Sequence, residues 1–304
     1  MTKTPGFIRS NIECLLVRAF SRLASALPEK AAYRLGLLLG RIIRAVDRRH
    51  RTVADENLAA AFPEKTHDEI RELGRRVYRH IGLIIVESLR VRLMLDAGLH
   101  RWVQSPDLAD ARAALQAGKG LIVVTAHIGN WEIAGHAASI MLTPLHSVAR
   151  QLDNPLLERY VDEMRRLSGQ QILDKRGAVR DMMQVLKNGG AVAILMDQDA
   201  RRHGIFVNFF GRPASTWPTA AALSLRLGSP IVTGFVRRLD GQFRYELIAD
   251  PVLWPQPTDD RDADIRNLTQ LLTARIEAHI RECPEQWFWV HRRWKTQPPP
   301  KDQG

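Results

Sequence analysis

The chain has 304 residues, 45% of them hydrophobic and 25% charged, enough apolar material for a large core and too ordinary a balance for a disordered protein. A formal charge of +11 favours a polyanionic partner such as nucleic acid, an anionic membrane surface or an acidic carrier protein. The two cysteines, Cys14 and Cys283, support neither a disulfide framework nor a zinc cluster.

No stretch reaches ~18 uninterrupted apolar residues, the length a spanning helix needs. The nearest candidate runs from Ile12 to Leu27 and is broken by Glu13, Arg18 and Arg22, which also spoils it as a secretory signal. Residues 1–51 carry eleven Lys or Arg against three acids. Within them Cys14, Leu15, Leu16, Ala19, Phe20 and Leu23 fall at helical spacing on one face. Basic and amphipathic together, this segment reads as a helix lying in a lipid interface; a helix packed on its own domain is the plain alternative. Ala31 to Val46 is also periodic, and its Gly36 and Gly40 allow close helix packing or close lipid contact. Thr66 to Leu95 is a long helical pattern capped by Thr66, with Asp68 and Glu69 in its first turn. Phe62-Pro63 marks the break between the two.

From about residue 106 strands and helices alternate. A helix over Leu108–Ala117 turns at Gly118-Lys119-Gly120 into the strand Leu121–Thr125, and a new helix begins near Asn130. A strand around Leu145–Ala149, a helix over Pro155–Ser168 and a helix over Val179–Lys187, closed by Asn188-Gly189-Gly190, come next. The strand Ala191–Met196 ends at Asp197-Gln198-Asp199. A helix over Thr216–Leu227 precedes the strand Ile231–Val236, which Asp240-Gly241 joins as a hairpin to Tyr245–Ala249. Gln286 to His291 alternates like a half-buried strand, and Pro298-Pro299-Pro300 frays. The pattern predicts an α/β fold, a mixed and mostly parallel sheet flanked by helices. A helical N-terminal membrane-associating region is expected over 1–105, the α/β domain over 106–297 and a disordered tail over 298–304.

Ligands of such sheets sit beyond the carboxyl ends of the strands, and His127 and Asp197-Gln198-Asp199 both stand there. A neutral imidazole is a competent general base near pH 7 when a carboxylate steadies its far nitrogen. Glu132, one turn into the following helix, is the expected carboxylate. Free amides around Gly129 to Trp131 offer an oxyanion site. No Ser or Cys stands nearby in a nucleophile-elbow pattern, so the histidine is expected to deprotonate a substrate hydroxyl that attacks directly. A structural histidine is the bland reading of the same spacing.

His127-x4-Glu132 after an apolar strand resembles the signature of the glycerolipid acyltransferase superfamily. "ILMDQD" (194–199), "VNFFGRPASTWPTAAALSLRLGSPIV" (207–232) and "PEQWFWVHRRWK" (284–295) resemble its lipid A biosynthesis branch, in order and spacing. "YRLGLLLGRIIR" and "ENLAAAFPE" are also similar, so the likeness covers nearly the whole chain. It implies transfer of a fatty acyl chain from an acyl-carrier-protein thioester to a hydroxyl of a membrane glycolipid, most directly a lipid A precursor, at the cytoplasmic face of the inner membrane. Carried over, His127 is the base, Glu132 its partner, and Arg150 lies near the reacting carbonyl or an acceptor phosphate. Asp197 and Asp199 then orient basic residues or acceptor hydroxyls, and Arg176, Arg201, Arg202 and Arg212 hold phosphates or are merely solvated. Trp131, Phe209, Phe210 and Trp217 suit an acyl-chain groove, with plain core as the alternative for such aromatics. Neither metal nor cofactor is expected. Rival readings are acylation of a phosphatidylinositol mannoside, a metal-dependent D-x-D glycosyltransferase and a non-catalytic lipid-binding protein. No nucleic-acid recognition module is present.

Overall fold

The computed structural model describes residues 7–105, 107–148, 152–174, 177–239 and 241–299. Four helices come first: α1 (Phe7–Ala26), α2 (Glu29–Val46), α3 (Arg48–Ala61) and α4 (His67–Asp96). Then follow β1 (Val103–Gln104), α5 (Ala109–Gln116), β2 (Leu121–Thr125), α6 (Trp131–Met141), β3 (Leu145–Val148), α7 (Pro155–Arg166), β4 (Gln171–Leu173), α8 (Ala178–Lys187) and β5 (Ala191–Leu195). The chain continues through β6 (Ile205–Phe209), β7 (Arg212–Thr216), α9 (Thr219–Leu227), β8 (Ile231–Leu239), β9 (Arg244–Ala249) and α10 (Arg261–Glu282).

Seven strands form one sheet in the order β1-β9-β8-β2-β5-β3-β4, parallel except for the β8–β9 pair. β2 lies at its centre, and its side chains feed both faces. Ile122 and Val124 join the cluster containing α10, whereas Leu121 and Val123 pack with Ala111 and Ala114 of α5. A strand covered on both sides needs an unbroken apolar run, and 121–124 supplies one.

The N-terminal helices are held by small residues and a cap. A Cβ on Gly40 would stand 2.2 Å from the Tyr78 carbonyl oxygen, and one on Gly82 2.2 Å from that of Gly36. Only glycine lets the α2 and α4 backbones approach so closely, so Gly36 and Gly40 serve helix packing. Thr66 caps α4 as expected, and Glu69 answers it to close a capping box. Leu58, Phe62, Leu73, Val77 and Tyr78 share one cluster with β2, α10, Trp287 and Trp289. The helices α3 and α4 thus stand on the same core as the sheet.

Within α1 the buried side is small and partly polar. Ser10, Cys14, Ser21 and Ala24 face inward, with Cys14 Sγ donating to the Leu156 carbonyl and Ser21 Oγ to that of Leu89. Of the apolar face read in the sequence, only Cys14 is buried. Leu15, Leu16, Phe20 and Leu23 are exposed, joined on α2 by Leu35, Leu38, Ile42 and Val46. No helix among the described residues is long and apolar enough to cross a membrane.

Two expectations fail locally, and one hairpin carries no sequence signal. Residues 286–291 are not a strand: after a single turn of 3-10 helix at Pro284–Gln286 the chain curls. The side chain of Asn57 donates to the carbonyls of Trp289 and His291, both at 2.9 Å, where a strand would have had a neighbour. The helix expected from Thr216 begins at Thr219, because Thr216 ends β7. The β6–β7 hairpin gave no turn signal, because its two central residues are Phe210 and Gly211, at φ 54° and 72°. Two positive φ values in sequence make the turn of a two-residue hairpin, a place usually marked by Asn-Gly or Asp-Gly. Glu277 secures Phe210 there by accepting from its amide at 2.6 Å.

Candidate active site

Pairing of β2 with β5 sets the site. The two strands run parallel with Thr125 beside Leu195, so two residues beyond each strand end His127 and Asp197 arrive together. His127 Nδ1 lies 2.9 Å from Asp197 Oδ1, and the His127 amide donates to Oδ2 at 2.7 Å. Trp287 Nε1 donates to the same Oδ2 at 2.8 Å, and His291 Nε2 donates to the Asp197 carbonyl at 3.1 Å.

This corrects the carboxylate expected from the sequence. Glu132 lies in the first turn of α6 rather than one turn in, and its side chain faces α7, where Arg165 binds it in a bidentate pair at 2.8 and 3.1 Å. Spacing along the chain suggested Glu132; pairing across the sheet supplies Asp197. The charge of Glu132 still reaches the imidazole. Burial disfavours the charged ring, yet the Asp197 charge and hydrogen bond, with Glu132 behind them, outweigh it and raise the pKa of His127. Asp197 is itself fully buried, which opposes its ionisation, but the His127 charge and N–H groups hold its pKa below the usual carboxylate range.

The remaining ring nitrogen, Nε2, looks outward past Gln198, whose Nε2 stands 3.5 Å away. Trp131 meets the imidazole edge-on at 4.8 Å between centroids, and Phe288 lies 6.1 Å away. The ring therefore has one nitrogen fixed by a carboxylate and one open between aromatic walls, the disposition a general base requires.

The turn carrying His127 is clamped from behind. Gly129 has φ 58°, and a Cβ on it would lie 1.7 Å from the Val236 carbonyl oxygen, so only glycine fits. Its amide donates to the Gln286 carbonyl at 2.9 Å and its carbonyl accepts from His80 Nε2 at 3.0 Å. Gly129 is thus removed from the expected set of free amides; Trp131 and Glu132 open α6, whose first-turn amides have no partner within the helix. Asn130 caps that helix through Oδ1 to the Ile133 amide, and its Nδ2 donates to Glu87 at 3.0 Å. Glu87 pairs with Arg238, which also donates to the Tyr245 hydroxyl at 3.0 Å. This buried network was not read from the sequence, since Glu87 sits within a helical pattern and Arg238 within a strand. Nothing local marks either as a partner.

Other expected site residues disperse. Arg150 and Arg176 lie outside the described residues. Asp199 accepts from the Arg201 amide at 3.2 Å and the Thr296 hydroxyl at 2.9 Å, and the guanidinium of Arg212 stands over Trp294 at 4.8 Å. Arg201 and Arg202 are exposed. Phe209 and Phe210 are core residues, packed with Phe62, Trp287, Trp289 and Trp294, so they line no groove. Trp217 is exposed and stacked on His203. Of the four aromatics, only Trp131 touches the His127 ring. His136, on the same helix as Glu132, is buried and bonded to Ser168 at 2.7 Å; burial lowers its pKa to about 4, so it packs as a neutral ring.

The D-x-D reading meets a geometric obstacle. Both Asp197 oxygens are engaged by N–H donors, and a cation would have to displace them. His127 and Asp197 are better described as an acid–base pair.

A family model described as bacterial lipid A biosynthesis acyltransferase matches residues 8–296. The chain belongs to that family. It is 27% identical over 266 residues to the lipid A biosynthesis palmitoleoyltransferase of Escherichia coli K12, covering 87% of this chain and 85% of that one. To the lauroyltransferase of the same organism it is 27% identical over 275 residues, 90% and 88% of the two chains. A phosphatidylinositol mannoside acyltransferase of Mycolicibacterium smegmatis is 26% identical over 215 residues, 68% of this chain and 67% of its own. The protein is therefore an acyltransferase of the lipid A biosynthesis family, and the sequence blocks named above lie inside the matched span.

Proposed function

We propose that this acyltransferase moves a fatty acyl chain from an acyl-carrier-protein thioester to a hydroxyl of a membrane glycolipid, most directly a lipid A precursor. The open Nε2 of His127, backed by Asp197, carries the reading. His127 takes the proton of the acceptor hydroxyl, and the resulting oxygen bonds to the thioester carbonyl carbon. The tetrahedral oxyanion faces the first amides of α6, at the positive end of the helix dipole. The C–S bond then breaks, and the imidazolium returns its proton to the departing thiolate. Asp197 keeps Nδ1–H oriented throughout and stabilises the charged ring. Glu132, fixed by Arg165, adds negative potential beside it.

Direct transfer suits the surroundings. Cys14 is tied to Leu156, and Cys283 donates to the His279 carbonyl at 3.4 Å. Burial pushes the Cys283 thiol up to about 12, so it is no nucleophile at neutral pH. The test is acyl transfer by the purified full chain from an acyl-carrier-protein thioester, with a lipid A precursor and a phosphatidylinositol mannoside as competing acceptors. Turnover on the lipid A precursor, unaffected by a chelator, is the expected result. Transfer only to the mannoside changes the acceptor, and a chelator-sensitive glycosyl transfer instead ends the reading.

The exposed apolar residues of α1 and α2, with Arg18, Arg22 and Arg41 exposed on the same two helices, fit an anionic lipid surface at the cytoplasmic face of the inner membrane. Apolar side chains enter the acyl boundary while arginines meet phosphates. Replacing Leu15 and Phe20 by Glu is expected to weaken binding to anionic vesicles by roughly 10² or more, since each buried side chain contributes ~1.5–3 kcal/mol. Co-sedimentation measures it; unchanged binding removes α1 from the interface.

A further inference from the structure

The block "PEQWFWVHRRWK" (284–295) folds back across the turn that carries the base. The Gln286 carbonyl accepts from the Gly129 amide at 2.9 Å, and the Phe288 amide donates to the His127 carbonyl at 3.1 Å. Between them Ile128 and Trp287 form an antiparallel bridge. Three residues of the tail therefore run in register with His127, Ile128 and Gly129. Side chains alternate along an extended backbone, and so do these. Phe288 stands toward the imidazole, at 6.1 Å between centroids, while Trp287 and Trp289 are buried in the core.

Inside, the Trp287 ring meets Trp289 edge-on at 4.5 Å and Phe209 at 5.6 Å. Packing on both sides leaves the indole little freedom, and its one polar atom points at the carboxylate behind the base. Nε1 donates to Asp197 Oδ2 at 2.8 Å, where the His127 amide also donates at 2.7 Å. Two donors on one oxygen leave Oδ1 to meet His127 Nδ1 at 2.9 Å. A carboxylate needs such anchoring, because only a fixed oxygen holds the tautomer and already faces the imidazolium when it forms.

We propose that Trp287 is a positioning residue for acyl transfer: its indole N–H locks the Asp197 carboxylate so that Oδ1 stays on His127 Nδ1. The inference rests on His127 being the base of the transfer and deepens that reading. Trp287 is buried beneath the turn, so it acts through Asp197 and not on the substrate. The backbone bridge to Ile128 fixes the distance, since the tail that carries the indole is tied to the same turn as the imidazole.

The test compares wild type with Trp287→Phe, which keeps an aromatic ring and loses the N–H, in acyl transfer by the full chain. kcat is expected to fall roughly tenfold with KM unchanged, the loss of one hydrogen bond to a charged group. In an Asp197→Asn background the same change should cost less than about twofold, since the amide no longer stabilises the imidazolium. A merely structural tryptophan would cost the same in both backgrounds. The acidic limb of kcat/KM should also move to lower pH, because a carboxylate free to turn away supports the charged ring less. Glu132 from α6 and His291 and Arg293 from the tail face the same pair, with Asp199 sharing the Arg293 charge; the variant keeps all four. Thermal unfolding checks the fold. If phenylalanine unfolds the chain, benzothienylalanine at 287 replaces the N–H by sulfur in a ring of the same shape. A kcat within about twofold of wild type in the folded variant, or an equal loss in the Asp197→Asn background, overturns the proposal. Should wild type transfer no acyl group, the reading of the function fails by itself. NMR titration of the His127 ring then tests the bond separately: a lower pKa in the variant supports the proposal, and an unchanged one overturns it.

Discussion

Asp197→Asn should lower turnover on the order of 10³, as much as His127→Ala, and should do so in a protein that remains folded. An amide at 197 can still accept from Trp287 and the His127 amide, but it no longer stabilises an imidazolium or enforces the Nδ1–H tautomer. The pH profile carries the sharper signature. In the wild type Asp197 and Glu132 raise the pKa of His127 against the effect of burial. The neutral, basic form is then lost as pH falls through a value above the ordinary ~6.5, and activity falls with it. Without the Asp197 charge, burial and Glu132 alone remain, so the acidic limb of kcat/KM is expected to move to lower pH while its plateau drops. A plateau within threefold of wild type in folded Asp197→Asn would show that Glu132, not Asp197, is the carboxylate that matters.

Glu87→Ala should cost stability rather than chemistry alone. Glu87 and Arg238 are both buried, and removing the carboxylate strands a guanidinium in the interior. Breaking a buried pair from one side costs ~3–5 kcal/mol, a large share of the ~5–15 kcal/mol by which domains are stable. A fall in Tm on the order of 10 °C is expected. Asn130 also loses the acceptor of its Nδ2 and the turn behind His127 loses its support, so turnover should fall below what the folded fraction explains. The double replacement Glu87→Leu with Arg238→Met removes both charges together and should recover most of the lost stability. Calorimetry decides: a loss of less than about 1 kcal/mol in Glu87→Ala means the pair does not hold the turn.

The alternation of strands and helices, the Thr66–Glu69 cap, the close approach allowed by Gly36 and Gly40, and a histidine at the end of an apolar strand are all written locally. The cap and the strand–helix rhythm depend on residues within a turn or two of one another, where steric and hydrogen-bonding rules act directly, whereas Gly36 and Gly40 permit a close approach whose partner, α4, only the structure names. The exposed side of α1 illustrates the limit of such reading. Amphipathic spacing marked an apolar face, but which side meets the protein was settled by Ser10, Cys14 and Ser21 packing against α4 and α7. Phe209 and Phe210 show the same limit, because aromatic character does not say whether a ring lines a groove or fills a core.

The sequence by itself determined the α/β rhythm, the basic N-terminal helices, the family resemblance and the imidazole at a strand end. Only the tertiary structure decided which acid that imidazole meets, because β2 and β5, 70 residues apart in sequence, lie parallel in register and deliver Asp197 to His127. A helix carries Glu132 away to Arg165 in the same stroke. Hydrogen bonds between side chains depend on distance in space, and a chain reports that distance only where it is short along the backbone as well.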